Sequence, residues 1–241
     1  MRERETSTRA RRPRGPARLA VIDFDVASLA QPIVVSSLVE VAGRSDRARI
    51  ALNGKNVGDL TLDFIAGNSL RAGHELSRRQ AEDVVEAVGW TIVLDKALDL
   101  LAVRARSARD LRLRLRRAGA DEAAITWAID RLTVQGFVDD SAYARQVARA
   151  KVVSGGVSRR KVVTMLRRRG IGAEVSEEAI DATLQEVDLD EEGAAMEAAR
   201  KRLRALASLE PAKRRQRLYA YLARRGYESD VVRRVLAEVL R

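Results

Sequence analysis

The sequence predicts a mainly α-helical protein: three tandem three-helix repeats forming a curved solenoid of either hand, preceded by a small β-meander with one helix. Three observations predict it. The apolar period changes from two to 3.6 near residue 91 and stays there to the end. The pattern Leu-x-Arg-x-Gly recurs three times, with 51 and 56 residues between its glycines. Finally, Asn53-Gly54 lies between two alternating apolar runs, where a tight hairpin turn needs residues that tolerate positive φ.

Residues 1–31 read as a basic, disordered tail followed by a segment of no clear period. Met1 to Arg18 hold seven Arg, two Glu and two Pro without an apolar run. Residues 32–90 carry the strand period: Ile33 to Val41 supply one strand, Ile50 and Leu52 a second, and Leu60, Leu62 and Phe64 a third. Ser77-Arg78-Arg79-Gln80 reads as a capping box, opening a helix that carries Val84, Val85 and Val88.

The repeats span 91–140, 141–190 and 191–241. In each, a first helix (95–104, about 142–153, about 193–207) precedes an Arg-rich middle helix and an apolar third helix. Leu94, Ala97, Leu98 and Leu101 mark one apolar stripe, Ile125, Ala128, Ile129 and Leu132 another, and Val231, Val232, Val235, Leu236 and Val239 the last. Leu115–Gly119, Leu166–Gly170 and Leu222–Gly226 end the middle helices, with glycine as the left-handed residue past each C-terminus. One triplet of short helices cannot bury its apolar face alone, so stacking of neighbours is expected.

Composition excludes most chemistry. Among 241 residues there is no Cys and one His, His74, which removes disulfides, thiolate metal sites, cysteine nucleophiles and most zinc and Ser-His-Asp arrangements. No catalytic constellation is legible; the chain reads as a non-enzyme that needs no cofactor. No segment reaches the ~18 apolar residues of a membrane span. Asp23 and Asp25 interrupt what a twin-arginine signal at Arg11-Arg12 would require, so a cytoplasmic protein is expected.

The charge is placed, not spread. With 45 Lys+Arg against 34 Asp+Glu the net is +11, pointing to a polyanion, an acidic protein surface or an anionic membrane. Arg outnumbers Lys 39 to 6, which the codon usage of a GC-rich genome would explain. Codon usage does not explain where acids are missing. Segments 104–119, 158–170 and 211–226 hold 19 basic residues and one acid, Asp110, for a net of +18; the remainder carries −7.

These middle helices are the candidate binding strip. Arg109, Arg112 and Arg116 fall at i, i+3 and i+7, with Arg117 beside them. Arg159, Arg160, Arg167 and Arg168 follow in the second repeat, and Arg214, Arg217 and Arg224 in the third. Guanidinium forks bridge phosphates or carboxylates alike, so the strip alone leaves DNA and protein open. Aromatics, 4% of the chain, argue against base stacking as the main mode of binding.

Other motifs read as structural. Asp139-Asp140 stands at a helix start and suits capping better than metal or acid–base work. Gly155-Gly156 lacks the rest of a phosphate loop and reads as a flexible interhelix turn. His74 reads as a surface residue, Trp90 and Trp127 as packing residues. The five acids from Glu186 to Glu192 read as a solvated linker or as a cover for the strip.

The assembled residues resemble the RecX family of RecA regulators. The resemblance runs through Ala97-Leu98, Leu101, Arg106-Ser107, Asp110-Leu111, Leu115, Ile129 and Leu132, then Gly156, Arg159, Leu166 and Gly170-Ile171. Its most specific stretch is Gly136-Phe137-Val138-Asp139-Asp140 with Tyr143-Ala144, similar to a family signature and read here as structural. It covers about 95–185 well and the third repeat more loosely, while 32–90 look like the β extension that some members carry. The chain departs from the family pattern at Ser158 and in a third repeat five residues longer.

The resemblance implies a non-enzymatic, monomeric regulator in DNA repair, homologous recombination and the SOS response. It would bind the RecA–single-stranded DNA filament, meeting phosphates without sequence preference, and inhibit recombinase, ATPase and co-protease activities. Two other readings stay open: a direct DNA-binding protein with tandem helix-turn-helix-like units, and a helical scaffold that self-associates through oppositely charged faces.

Overall fold

The computed structural model describes residues 19, 22–153, 156–188 and 190–241. The basic tail expected over 1–18 lies outside them. The chain divides into two compact units, one built from residues up to 99 with 112–128, the other from 100–111 with 129–241.

The first unit contains an antiparallel sheet of β1 (Ile33–Val41), β2 (Arg44–Leu52), β3 (Lys55–Thr61) and β4 (Glu75–Leu76), in the order β3-β2-β1-β4. The β2–β3 hairpin turns at Asn53 (φ 47°) and Gly54 (φ 78°), with Leu52 opposite Lys55. The Asn53 side chain also braces the turn: its Oδ1 accepts from the Val34 N–H (2.7 Å), and its Nδ2 donates to the Ala30 carbonyl (2.7 Å). β4 adds two residues to the far edge of β1, too few to show a period.

The third strand is shorter than its alternation suggests. Leu62 and Phe64 belong to helix α1 (Leu62–Gly67), not to β3. Thr61 caps it, accepting from the Phe64 N–H at 3.4 Å, and Asp63 lies in its positive first turn. Two apolar residues spaced by one fit the start of a short helix as well as the end of a strand.

The capping box forms as expected: Gln80 Oε1 accepts from the Ser77 N–H (2.9 Å), and Ser77 Oγ accepts from the Gln80 N–H (3.3 Å). The helix it opens, α2 (Arg78–Val103), runs 26 residues, so the helices expected after Ser77 and over 95–104 are one. Val84 and Val88 close the core over Ile33, Val35, Ile50, Leu52 and Leu60. A buried cation pins α2 to the sheet: Arg47 of β2, 1% exposed, pairs with Asp95 at 2.8 Å.

The remaining helices are α3 (Ala108–Arg117), α4 (Glu122–Val134), α5 (Asp140–Ala148) continuing as a π-helical turn to Val153, α6 (Arg159–Arg167), α7 (Ala173–Gln185), α8 (Glu191–Arg204), α9 (Pro211–Arg224) and α10 (Ser229–Val239). They form the expected triplets: the end of α2 with α3 and α4, then α5–α7, then α8–α10. Leu111, Leu115, Ile125 and Leu132 are each fully buried. Val162, Leu166 and Ile180 form the second core with Ala144 and Ala148; Leu218, Leu222, Val235 and Leu236 form the third with Ala195 and Ala199.

Each middle helix ends in the same way. Gly119, Gly170 and Gly226 have φ of 94°, 88° and 93°. Each glycine N–H bonds the carbonyl three residues back, at 3.0 Å in all three, and the next N–H reaches back to the leucine carbonyl at 3.1, 3.1 and 3.4 Å. This double closure fixes the Leu-to-Gly spacing of the motif. The middle helices begin differently: α3 and α6 follow the capping serines Ser107 and Ser158, whereas α9 follows Glu210, which makes no side-chain cap, and starts on Pro211.

Candidate binding surface

The start of one middle helix docks on the end of the next, and both joints use equivalent residues. At the first, Ser107 Oγ donates to the Arg169 carbonyl (2.7 Å) and the Ala108 N–H to Asp140 Oδ1 (2.9 Å). At the second, the Ser158 N–H donates to the Arg225 carbonyl (3.0 Å) and the Arg159 N–H to Glu191 Oε1 (3.0 Å). Positive helix starts thus meet helix-end carbonyls and a carboxylate. The glycines permit the approach: a Cβ at Gly170 would lie 2.6 Å from the Arg109 side chain, and one at Gly226 2.6 Å from Ser158 Oγ. Lys161 Nζ adds a bond to the Arg224 carbonyl.

This geometry sorts the strip arginines into two groups. Several are held internally. Arg112 and Arg116 converge on Glu122, with Arg112 also donating to Thr126 Oγ1 (3.0 Å) and Arg116 Nη2 lying 2.8 Å from Glu122 Oε2. The two guanidinium groups, Arg116 foremost, hold the Glu122 carboxyl below its ordinary pKa. Arg159 pairs with Asp181 (2.7 Å) and Glu177 (3.3 Å), lowering the Asp181 pKa through the hydrogen bond and raising its own. Arg160 lies 3.5 Å from Glu228, and Arg214 donates to the Leu209 carbonyl (3.0 Å). Arg109 lays its stem over Gly170.

Arg117, Arg167, Arg168, Arg217 and Arg224 are exposed and carry no side-chain partner among the described residues. Three of them, Arg117, Arg168 and Arg224, are the arginine of the Leu-x-Arg-x-Gly motif itself. One outward-facing fork therefore stands at the same place in each repeat, on the last turn of the middle helix. The acids that silence the others, Glu122, Glu177 and Asp181, were not legible as partners; their signal was their place on the third helices of the repeats.

The signature residues also divide. Gly136 turns the chain with φ 76°. Asp139 caps α5, accepting from the Ala142 N–H at 2.8 Å, while Asp140 reaches back to Ala108. Tyr143 Oη accepts from Arg169 Nη1 (2.9 Å), and that guanidinium lies 5.8 Å from the ring centre. Phe137 is 59% exposed; its main chain, not its ring, is structural, its N–H bonding the Leu132 carbonyl at 2.8 Å.

The acidic stretch folds onto cations: Glu186 on Arg149 (2.7 Å), Glu191 on the Arg159 N–H and Glu192 on Arg234 (2.9 Å). Gly156 lies in the link expected there and packs closely, since a Cβ on it would stand 2.3 Å from Ala198 Cβ; Gly155 lies outside the described residues. His74 is half-buried, and Trp90 and Trp127 pack together with ring centres 5.6 Å apart. Among the described residues no cluster of three His, Cys, Asp or Glu could hold a metal, and no helix is long and apolar enough to cross a membrane.

Comparison with known proteins matches three family models: "RecX, first three-helix domain" over residues 94–132, the second over 139–180 and the third over 190–236. The chain is 38% identical over 144 residues to a regulatory protein RecX of Amycolatopsis mediterranei (strain U-32), covering 59% of this chain and 80% of that protein. It is 24% identical to the RecX of Clostridium beijerinckii, over 84% and 94% of the two chains. A crystal structure of a regulatory protein RecX shares the fold with a TM-score of 0.68 at 23% identity, over 86% of this chain and all of that one.

Proposed function

Because the chain belongs to the RecX family of regulatory proteins, we propose that it regulates RecA by binding the RecA–single-stranded DNA filament and inhibiting its recombinase, ATPase and co-protease activities. The observation that carries this reading is the recurring exposed fork, Arg117, Arg168 and Arg224, which stands at one position of every repeat with no side-chain partner among the described residues. Equivalent cations on successive repeats suit an equally periodic polyanion, and phosphates make such binding independent of sequence. Arg167 and Arg217 would add to it. On this reading the domains keep the boundaries expected from the sequence, and the protein acts as a cytoplasmic monomer without a cofactor.

The test is to add the protein to RecA pre-assembled on single-stranded DNA and follow ATP hydrolysis. Inhibition at or below one regulator per RecA is expected; unchanged hydrolysis at that ratio would sink the reading. Direct duplex reading is the alternative. A discrete duplex footprint without RecA would favour the alternative.

A further inference from the structure

In repeat three the basic surface is wider than the middle helix. Residues 198–227 hold ten basic residues and one acid, Glu210, which pairs with Lys213 at 3.1 Å. Four of the ten, Arg200, Lys201, Arg202 and Arg204, stand on the second half of α8, all exposed and without an ion pair among the described residues. On α9, Arg217, Tyr221 and Arg224 fall at i, i+4 and i+7, along one face. The position of Tyr221, five residues before the motif glycine, is Arg114 in repeat one and Met165 in repeat two. Only the third repeat sets an aromatic ring there.

The ring is held in place and half-buried, packing against the third core that Leu218 and Leu222 help to form. Two guanidinium groups lie against it, Arg225 at 4.4 Å from the ring centre and Arg202 at 5.6 Å. They are held differently. Arg225 also donates to the Gly156 carbonyl (3.3 Å), which fixes it beside the ring. Arg202 is exposed and has no acidic partner among the described residues, so the ring is its one side-chain contact there. An exposed cation–ring contact is weak. A planar group can therefore take the place of Arg202 on Tyr221 without breaking an ion pair, and the released guanidinium is free to meet a phosphate.

We propose that Tyr221 is a stacking platform for one base of single-stranded DNA, with Arg202 as its exchangeable cover and Arg217 and Arg224 on the flanking phosphates. This rests on the filament-binding reading and gives that basic strip one point of contact with a base. Every base has a π-face, so such a platform is tolerant of sequence. The surrounding cations favour a polyanion, and an unpaired strand leaves its bases free to reach the ring. With aromatics so few, phosphates remain the main source of affinity, and the ring adds a preference for strands that carry bases.

The probes are a short fluorescein-labelled oligothymidylate and an abasic strand of the same length, each titrated with the full chain and followed by anisotropy, with RecA absent. The thymine strand should bind about five-fold tighter or more. Tyr221→Leu should bring that ratio close to one, and Tyr221→Trp should restore it. Binding of the abasic strand, and its salt dependence, should be the same in both variants as in the unaltered chain. Equal binding of the two strands by the unaltered chain overturns the proposal, as does a preference that survives Tyr221→Leu or a parallel loss of both strands in that variant. Should Tyr221→Leu fail to fold, irradiation of the unaltered chain with a strand carrying 5-iodouracil, followed by peptide mapping, decides. An adduct on Tyr221 supports the platform; adducts confined to other residues, or none, overturn it. Salt-sensitive binding without a preference for bases removes the platform and leaves filament inhibition, which ATP hydrolysis reads, standing.

Discussion

Asp140 accepts a hydrogen bond from the main-chain N–H of Ala108, 32 residues earlier, at 2.9 Å. One carboxylate of the Asp139-Asp140 pair thus caps its own helix and the other caps the helix of the repeat before. Asp190-Glu191 repeats the division of labour, Asp190 on Gly193 and Glu191 on Arg159. Asp140→Ala should lower stability by about 1–2 kcal/mol by leaving the Ala108 N–H without its acceptor. Urea unfolding measures it, and Glu191→Ala should cost a similar amount at the other joint.

The glycines should not be equivalent to substitution. All three hold positive φ, so alanine costs about 1 kcal/mol of backbone strain at each. At Gly170 and Gly226 the new Cβ also meets side-chain atoms at 2.6 Å, whereas at Gly119 it meets none of the described residues. Gly170→Ala and Gly226→Ala should therefore lower the thermal midpoint further than Gly119→Ala. Equal decreases would mean that the joints do not pack as described.

Glu122 makes stability fall on acidification. Its folded pKa lies below its ordinary value of 4.5, so the unfolded chain takes up the proton first. The contribution of its pairs with Arg116 and Arg112 is complete above that ordinary value and is lost as the pH drops through the folded one. Thermal melts between pH 6 and pH 3 should show a smaller acid loss for Glu122→Gln than for the unaltered protein. High salt should narrow the gap.

Binding and stability should separate among the arginines. Arg168→Ala with Arg224→Ala removes two exposed forks that have no side-chain partner among the described residues, and should leave the melting temperature nearly unchanged. On single-stranded DNA it should flatten the log–log salt dependence by roughly 1.4, about 0.7 for each phosphate no longer neutralised. Arg159→Ala, which strips Asp181 and Glu177 of their partner, should show the reverse pattern. Fluorescence anisotropy over a salt series, alongside thermal melts, distinguishes the two.

Asp95→Ala should be the most damaging single change in the sheet unit. It leaves Arg47, 1% exposed, with only Asp46 at 3.3 Å, and breaking a buried pair from one side costs about 3–5 kcal/mol. Urea unfolding of this variant against Asp46→Ala checks which acid carries the cation.

What was legible in the sequence was whatever repeats or caps. Asn53-Gly54, the Ser77–Gln80 box and the Leu-x-Arg-x-Gly ends each satisfy backbone groups locally, so a few residues declare them. Leu62 and Phe64 misled because their alternation is shared by a strand end and a helix start, and only the Thr61 cap decides between them. The joints were hidden because they link residues 32 to 69 apart, such as Ala108 with Asp140 and Gly156 with Arg225. The basic strip was legible as a charge total. Its division was not, because charge counting cannot show that Glu122 binds two arginines while Arg168 faces solvent.

Pro211 opens the third middle helix where the other two open behind a serine, and it offers no N–H at the position where Ala108 and Arg159 each give theirs away. An appended fourth unit would bring a carboxylate with nothing to receive. Building such a joint at α9 by design would begin with restoring a Ser-led helix start at Glu210 and Pro211.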